Sequence, residues 1–206
     1  MSMEGVGLVV LAGGTSARLG GRDKTALDVG GRSILVGLLA GLPQVPTVVV
    51  GPPPPRLPRE AAHVVWTRED PPGGGPAAGL AAGVAALPRA TAVVVVLAGD
   101  QPFAAAAVPR LVAALRADPA VGAVLGRDAD GHPQPLLAAY RADEMARVLP
   151  QVRSGDSVRS TLAGISRAFL DLDADECLDV DDPADLARAR ASAARRMDRP
   201  AGAPPS

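Results

Sequence analysis

The sequence is poor in the residues that most nucleophilic and zinc sites use. Among 206 residues only Cys177 is a cysteine, and only His63 and His132 are histidines. A single cysteine excludes an internal disulfide and suits a reducing compartment, for which we expect the cytoplasm. Neither histidine has a partner at the spacing of a catalytic triad or a zinc ligand set. We therefore expect both histidines to be structural or exposed.

Aromatic residues and charge of one sign are also scarce. Only 2% of the residues are aromatic, so the core must be built from Val, Leu and Ala. The net charge is −1 and the Lys and Arg residues are scattered, which gives no electrostatic footprint for nucleic acid or an anionic membrane. The longest apolar stretches, residues 80–87 and 91–98, are far shorter than a bilayer span. We expect neither nucleic acid nor a membrane as a partner.

What the sequence does contain is a series of buried-strand patterns separated by helical patterns. Strands are predicted over residues 6–11, 45–50, 63–66, 92–98, 121–125, 135–140 and 165–172, and helices over residues 31–42, 77–87, 108–117, 143–149, 157–162 and 183–196. This alternation predicts an α/β fold, a Rossmann-like three-layer sandwich whose mostly parallel sheet has helices on both faces. The turn signal Asp128-Ala129-Asp130-Gly131 adds a small hairpin insertion. The length suits one domain, residues 1–198, and the Pro- and Gly-rich tail, residues 199–206, is expected to be disordered.

The most specific motif is the segment VVLAGGTSARLGGRDK, which ends at Lys24. An apolar strand pattern opens into a loop that contains Gly13, Gly14 and the two cations Arg18 and Lys24. Glycines let backbone N–H groups approach a polyphosphate closely, and the cations neutralise it. A Walker A loop would need Gly where Asp23 stands, and the G-x-G-x-x-G spacing of a Rossmann fingerprint is absent. The segment predicts a nucleoside triphosphate site of another kind.

Asp100 opens a second motif, Asp100-Gln101-Pro102-Phe103, directly after an apolar strand pattern. A carboxylate there is costly unless something binds it, and Mg²⁺ takes one or two carboxylates together with substrate phosphates. A helix N-cap is the alternative function, and the two are compatible. Because ligands bind beyond the carboxyl ends of parallel strands, Asp100 should lie beside the glycine-rich loop.

Two further segments complete the pattern. Residues 73–76, Gly-Gly-Gly-Pro, precede a predicted helix, and the backbone there can face a nucleobase. Asp179, Asp181 and Asp182 form a dense acidic cluster before Pro183. Asp182 is predicted to be the N-cap of the last helix, with proline at the first helical position. Asp181 is the better candidate for a second magnesium ligand.

Taken in order, these motifs resemble those of the molybdenum-cofactor guanylyltransferase (MobA-like) family over residues 6 to about 190. The resemblance implies transfer of GMP from GTP to the phosphate of a molybdopterin-type acceptor, with Mg²⁺ as cofactor and release of pyrophosphate. It implies catalytic roles for Arg18, Lys24 and Asp100, and magnesium ligation by Asp100 and Asp181. The implied nucleotide contacts are Leu11, Ala12, Gly13, Gly14, Lys24, Asp70, Gly75 and Asp100. No general base is needed, since the second pKa of a phosphomonoester is about 6 and the attacking oxygen is already ionised.

The chain departs from the family pattern at several positions. The family usually has Asn where Asp179 and Asp181 stand, and Asn where Gly51 stands. Either Glu69 or Asp70 matches the family's nucleotide-contacting acid, with Asp70 slightly favoured, and Gln134 matches its acceptor-side strand. The alternatives are a cytidylyltransferase, an enzyme for another acceptor such as a sugar phosphate or phospholactate, and a non-catalytic nucleotide-binding homologue.

Overall fold

The computed structural model describes residues 2–13, 23–54, 59–70 and 72–197, which form nine strands and six helices. The strands are β1 (Val6–Leu11), β2 (Asp28–Val29), β3 (Arg32–Ser33), β4 (Thr47–Val50), β5 (Val65–Thr67), β6 (Val93–Ala98), β7 (Ala123–Arg127), β8 (Pro133–Arg141) and β9 (Arg167–Asp171). The helices are α1 (Ile34–Gly41), α2 (Pro76–Ala85), α3 (Val108–Ala117), α4 (Ala142–Val148), α5 (Val158–Thr161) and α6 (Pro183–Met197). The predicted tail, residues 199–206, lies outside the described residues.

Seven of these strands form one sheet in the order β5-β4-β1-β6-β8-β7-β9. Strands β5, β4, β1 and β6 are parallel, β8 is antiparallel to both β6 and β7, and β9 pairs parallel with β7. The chain runs outward from β1 to β5 and then returns to β6 on the other side of β1. Such a reversal leaves a crevice at the carboxyl ends of the strands, where α/β proteins bind their ligands.

The sheet is covered on both faces, which explains why its central strands β1, β4 and β6 are continuously apolar rather than alternating. Along β1, Leu8 and Val10 pack in the layer of α1 and α3, whereas Val9 packs in the opposite layer with α2, α4 and α5. The residues of β6 from Val93 to Leu97 are at most 4% exposed. The predicted α/β class, the mostly parallel sheet and the two helical layers are confirmed.

The main correction concerns the start of the first helix, which was predicted at Gly31 and begins at Ile34. Arg32 and Ser33 instead pair with Val29 and Asp28 in the short β2–β3 hairpin, which was not predicted. Both turn glycines, Gly30 and Gly31, have positive φ angles of 66° and 82°. A Gly-Gly turn of this kind is a known hairpin signal, but strands of two residues are too short for a hydrophobic period to indicate them.

The predicted hairpin insertion is formed by β7 and β8, and it is irregular. Leu125 pairs with Ala138 whereas the next residue, Gly126, pairs with Gln134, so residues 135–137 form a bulge on β8. The buried Tyr140 donates a hydrogen bond from its hydroxyl to the carbonyl of Pro135 at 2.8 Å. The bulge is therefore held in one shape by a side chain of its own strand.

Within the part of the chain that the structure describes, no helix has both the length and the apolar character that crossing a bilayer requires.

Helix α2 packs against β1 and β4 through a glycine. A Cβ atom on Gly83 would lie 2.5 Å from Val9 Cγ1 and 2.8 Å from Val50 Cγ2, whereas one on Gly37 in α1 would meet nothing within 4 Å. Gly83→Ala should lower the free energy of unfolding by about 1–3 kcal/mol through overpacking. Gly37→Ala, the matched control, should raise it by roughly 0.5–1 kcal/mol because alanine favours helix. Urea denaturation measures both, and equal effects at the two positions would contradict the close packing of α2.

Candidate functional site

A cleft of about 650 Å³ opens at the carboxyl ends of β1, β4 and β6. Its floor includes Leu11 and Gly13 from the segment after β1, and one wall holds Asp100. Its rims come from the segments after β4 and β5 and from the start of β8. The structure thus brings the start of the predicted loop, Asp100 and the start of β8 to one place.

Small residues let the strand ends meet below the cleft. Ala12 is 6% exposed, and its N–H donates to the carbonyl of Val50 at 2.8 Å. A Cβ atom on Gly51 or on Gly99 would lie 3.0 Å from the backbone of Ala12. Ala12 therefore lies under the floor and fixes the position of Gly13. Gly14 and Arg18, predicted for the phosphates, lie outside the described residues.

Lys24 begins a short 3-10 turn, Lys24–Ala26, at the start of the next described segment. Asp23 accepts hydrogen bonds from the backbone N–H and the hydroxyl of Thr25 at 2.9 and 2.7 Å, so it caps the turn. The Lys24 side chain, 17% exposed, reaches two more distant acids. Its Nζ donates a hydrogen bond to Asp181 Oδ1 and lies 3.8 Å from Asp100 Oδ2.

A backbone contact brings these two acids together. The N–H of Val180 donates to the carbonyl of Asp100 at 3.2 Å, which fastens the acidic segment beside the end of β6. Asp182 Oδ1 accepts from the N–H groups of Ala184 and Asp185 at 2.7 and 2.9 Å, so its predicted N-cap role in α6 is confirmed. Asp185, in the first turn of α6, accepts from the N–H groups of Asp181 and Asp182, both at 3.0 Å.

The site carries three carboxylates against one described ammonium. Burial raises the pKa of Asp100, Lys24 partly offsets this rise, and the charges of Asp179 and Asp181 add to it. The pKa of Asp179 is raised by loss of hydration and by Asp181, although its side chain is exposed. Burial acts to lower the pKa of Lys24, but the hydrogen bond and charge of Asp181, with the other two acids, raise it overall. The excess of negative charge favours a further cation.

The residues present fit a divalent metal ion. Asp100 and Asp181 each have an oxygen within 4 Å of the same ammonium group, so the two carboxylates lie close enough together to be candidate ligands of one Mg²⁺. Next to Asp100, the Gln101 side chain is 3% exposed, and its Oε1 is buried without a hydrogen-bond partner among the described residues. Because Mg²⁺ retains several waters, a buried acceptor beside its ligands suits a hydrated ion.

The opposite side of the cleft contains the glycine-rich turn before α2. Gly75 has a φ of 90° and is the N-cap residue of α2, a conformation that favours glycine. Glu69 lines the cleft, and its Oε1 accepts from the N–H of Gly73 at 3.0 Å. Asp70 is exposed and is not part of the cleft lining. Of the two acids that the sequence left open, Glu69 is the one that faces the cleft.

The wall next to Asp100 is the bulged start of β8, from which Gln134, Pro135 and Leu136 line the cleft. Gln134 Nε2 donates to Asp128 Oδ2 at 3.2 Å. Since an ionised carboxylate only accepts hydrogen bonds, this contact assigns the amide nitrogen to Asp128 and leaves the amide oxygen for another donor.

The cysteine and the histidines lie apart from this chemistry. Burial raises the pKa of the Cys177 thiol to about 11, so it is not a nucleophile at neutral pH. Asp128, Asp130 and His132 bring their ligand atoms within 4.8 Å of one another, a grouping that the sequence did not suggest. However, Asp128 Oδ1 already accepts from the N–H groups of Asp130 and His132 at 3.0 and 2.8 Å. These hydrogen bonds shape the β7–β8 turn, and they explain why the three side chains lie close together.

Comparison with known protein families identifies the family of this chain. Residues 8–175 match the MobA-like NTP transferase domain. The chain belongs to this family. It is therefore a nucleotidyltransferase by family.

Solved structures support the fold. Molybdopterin-guanine dinucleotide biosynthesis protein A from Archaeoglobus fulgidus is 22% identical with a TM-score of 0.65, over 92% of this chain and 99% of that one. A cytidylyltransferase for 2-C-methyl-D-erythritol 4-phosphate from Thermus thermophilus is 18% identical with a TM-score of 0.66, over 90% and 98%. A Mycobacterium tuberculosis protein in complex with manganese is 22% identical with a TM-score of 0.62, over 91% and 98%. No curated protein sequence matches the chain.

The charge balance of the site predicts an effect of pH on stability. The pKa of Asp100 is raised in the folded state, so ionisation of this carboxyl group lowers the free energy of unfolding. The loss of stability is absent below the unfolded pKa of about 3.9 and is complete above the folded pKa. The free energy of unfolding of Asp100→Asn, relative to the parent, should therefore increase from pH 4 to pH 8. Urea denaturation at several pH values measures this difference, and a difference that is constant with pH would contradict it.

Asp185→Asn is the control, because its effect on the free energy of unfolding should depend on pH in the opposite direction. Burial opposes ionisation of Asp185, but Arg188 and the two backbone N–H groups lower its pKa overall. Its stabilising contribution is therefore present above about pH 4 and is lost as the pH falls through its folded pKa. Asp185→Asn should cost more stability at pH 7 than at pH 3.

Proposed function

We propose that this protein transfers GMP from GTP to the phosphate of molybdopterin or the molybdenum cofactor, releasing pyrophosphate, and that it does so in the cytoplasm. The observation that carries the proposal is the placement of Lys24 against Asp100 and Asp181 at the edge of a cleft large enough for a nucleotide. The A. fulgidus relative is named for molybdopterin-guanine dinucleotide biosynthesis, which supports this acceptor.

The wall that contains Glu69 supports guanine as the base. Glu69 Oε1 is used by Gly73, and the second carboxylate oxygen is available as an acceptor. Guanine offers adjacent N–H donors on its Watson–Crick edge, whereas the corresponding edge of cytosine presents an acceptor beside its amino group. A carboxylate acceptor in this wall therefore matches guanine better than cytosine.

This reaction requires the protein to position the two substrates and to neutralise the charge of their phosphates. In this proposal the backbone N–H groups of the glycine-rich loop would bind the phosphates and Lys24 would contact their oxygens. Arg18, which lies outside the described residues, would stabilise the departing pyrophosphate. Asp100 and Asp181 would hold Mg²⁺, which would supply charge neutralisation at the phosphates. The acceptor enters along Gln134 and Asp179, and its ionised phosphate attacks without a general base.

Pyrophosphate release from GTP, CTP, ATP and UTP, with and without molybdopterin, tests this function. We expect release that depends on both GTP and molybdopterin. Turnover with CTP that equals or exceeds turnover with GTP would assign the chain to the cytidylyl alternative. Release that never responds to molybdopterin would indicate a different acceptor.

The same assay decides between the two acids of the base-side wall. Glu69→Gln keeps the size of the side chain but replaces one acceptor oxygen with a donor, so GTP should lose its advantage over CTP. Asp70→Asn is the matched comparison at the neighbouring exposed position. A larger loss of GTP preference in Asp70→Asn than in Glu69→Gln would assign the base contact to Asp70.

Substitution of the two metal-binding aspartates should separate their roles. Asp100→Asn should abolish turnover, because a neutral amide holds Mg²⁺ much more weakly than a carboxylate. Asp181→Asn should be milder, since asparagine is what the family usually carries there. Steady-state pyrophosphate release with GTP measures both, and circular dichroism checks that each variant folds. A more severe loss in Asp181→Asn than in Asp100→Asn would reverse the assignment of the principal ligand.

A further inference from the structure

The ammonium group of Lys24 occupies the position between the two carboxylates that a metal ion would share. Its Nζ donates to Asp181 Oδ1 and lies 3.8 Å from Asp100 Oδ2. Lys24 is the only lysine in the sequence, and every other basic residue among the 21 is arginine. Lysine carries a compact charge with three donors on a flexible stem, whereas arginine presents a planar fork. Lys24 is therefore the basic residue best suited to take the place of a small cation.

This placement conflicts with the other role of the same side chain. One ammonium cannot contact nucleotide phosphates and neutralise both aspartates at the same time. A divalent ion held by those two carboxylates would also lie close to the ammonium and repel it. In the free protein, the carboxylates that would bind the metal ion are already paired with Lys24.

We infer that Lys24 is an exchangeable counter-ion of the metal site. Without nucleotide, its ammonium neutralises Asp100 and Asp181 and competes with a divalent cation. Nucleotide phosphates draw the ammonium away, which frees the two carboxylates for the metal. Nucleotide and metal then bind with positive coupling, and metal alone binds weakly. The inference rests on the proposed metal-binding role of Asp100 and Asp181, and it does not depend on the base or the acceptor.

Binding of Mn²⁺ without nucleotide tests this competition. Electron paramagnetic resonance measures free Mn²⁺ during titration of the parent, Lys24→Met and Arg89→Met. Lys24→Met should bind Mn²⁺ roughly tenfold more tightly, because it removes the competing cation. Arg89→Met removes the same charge from the exposed loop before β6, at the opposite end of the sheet from the cleft, and should leave the affinity unchanged. Equal or weaker Mn²⁺ binding by Lys24→Met would overturn the proposal.

The affinity for GTP, measured without metal, should change in the opposite direction to the affinity for Mn²⁺. Loss of one charge-assisted phosphate contact should weaken the binding of GTP to Lys24→Met by roughly tenfold to a hundredfold in calorimetry. A purely structural role of Lys24 would weaken the binding of both ligands. Tighter Mn²⁺ binding together with weaker GTP binding is therefore the result that competition requires, and joint weakening would reject it.

Chemical labelling of the parent protein keeps the test independent of any variant. Because the chain has one lysine, an amine-specific acetylating reagent reports Lys24 directly, with the α-amine of the same protein as internal reference. Saturating Mn²⁺ should speed acetylation of Lys24 several-fold relative to the α-amine, since the displaced ammonium loses its carboxylate partners. Equal or slower labelling would overturn the exchange.

The outcomes also separate this inference from the proposed function. If Mn²⁺ binds to neither the parent nor Lys24→Met, the metal-binding role of Asp100 and Asp181 fails, and the exchange fails with it. If Mn²⁺ binds equally to both, the metal site stands and only the exchange is rejected. Neither result depends on whether molybdopterin is the acceptor.

Discussion

The site depends on one backbone hydrogen bond, from the N–H of Val180 to the carbonyl of Asp100. Asp100 lies in the turn that follows β6, a strand in the middle of the sheet, whereas Val180 belongs to an irregular segment that precedes the last helix. The contact places Asp179 and Asp181 beside Asp100, and the Asp185 side chain holds the backbone of Asp181 in position. The cluster of like charges, the pairing with Lys24 and the proposed metal site all follow from it.

This arrangement opposes stability, since burial and neighbouring charges disfavour ionisation of Asp100. Ionisation of the same carboxyl group becomes more favourable when a cation lies beside it, and Lys24 supplies one from within the chain. The small residues around Ala12 keep the cleft open, because they allow the ends of three strands to converge without filling it.

The features that could be predicted from sequence are those that depend on neighbouring residues. The apolar runs of β1 and β6 indicate buried strands, and Asp182 before Pro183 indicates a helix cap. The pairing of Lys24 with Asp181 could not be predicted, because it joins residues that are distant in sequence and only the tertiary fold brings them together. The β8 bulge was missed for a similar reason, since its register is set by pairing with β7. The parallel-strand pattern predicted a ligand site at the strand ends, where the structure has a cleft. It could not choose between Glu69 and Asp70, because the tertiary fold decides which of two adjacent side chains lines that cleft.

The bulge on β8 also bears on how such a cleft can change over evolutionary time. Residues 135–137 lie between consecutive pairs with β7, while Ala138 on one side and Gln134 on the other remain in register. Within this segment Leu137 is buried and pairs with Leu97 of β6, whereas Pro135 and Leu136 line the cleft. Substitutions at residues 135 and 136 therefore alter the cleft wall while the flanking pairs keep their register. One wall of the cleft can thus change its side chains while the strand on either side stays paired, which gives a single fold a simple way to accommodate acceptors of different shape.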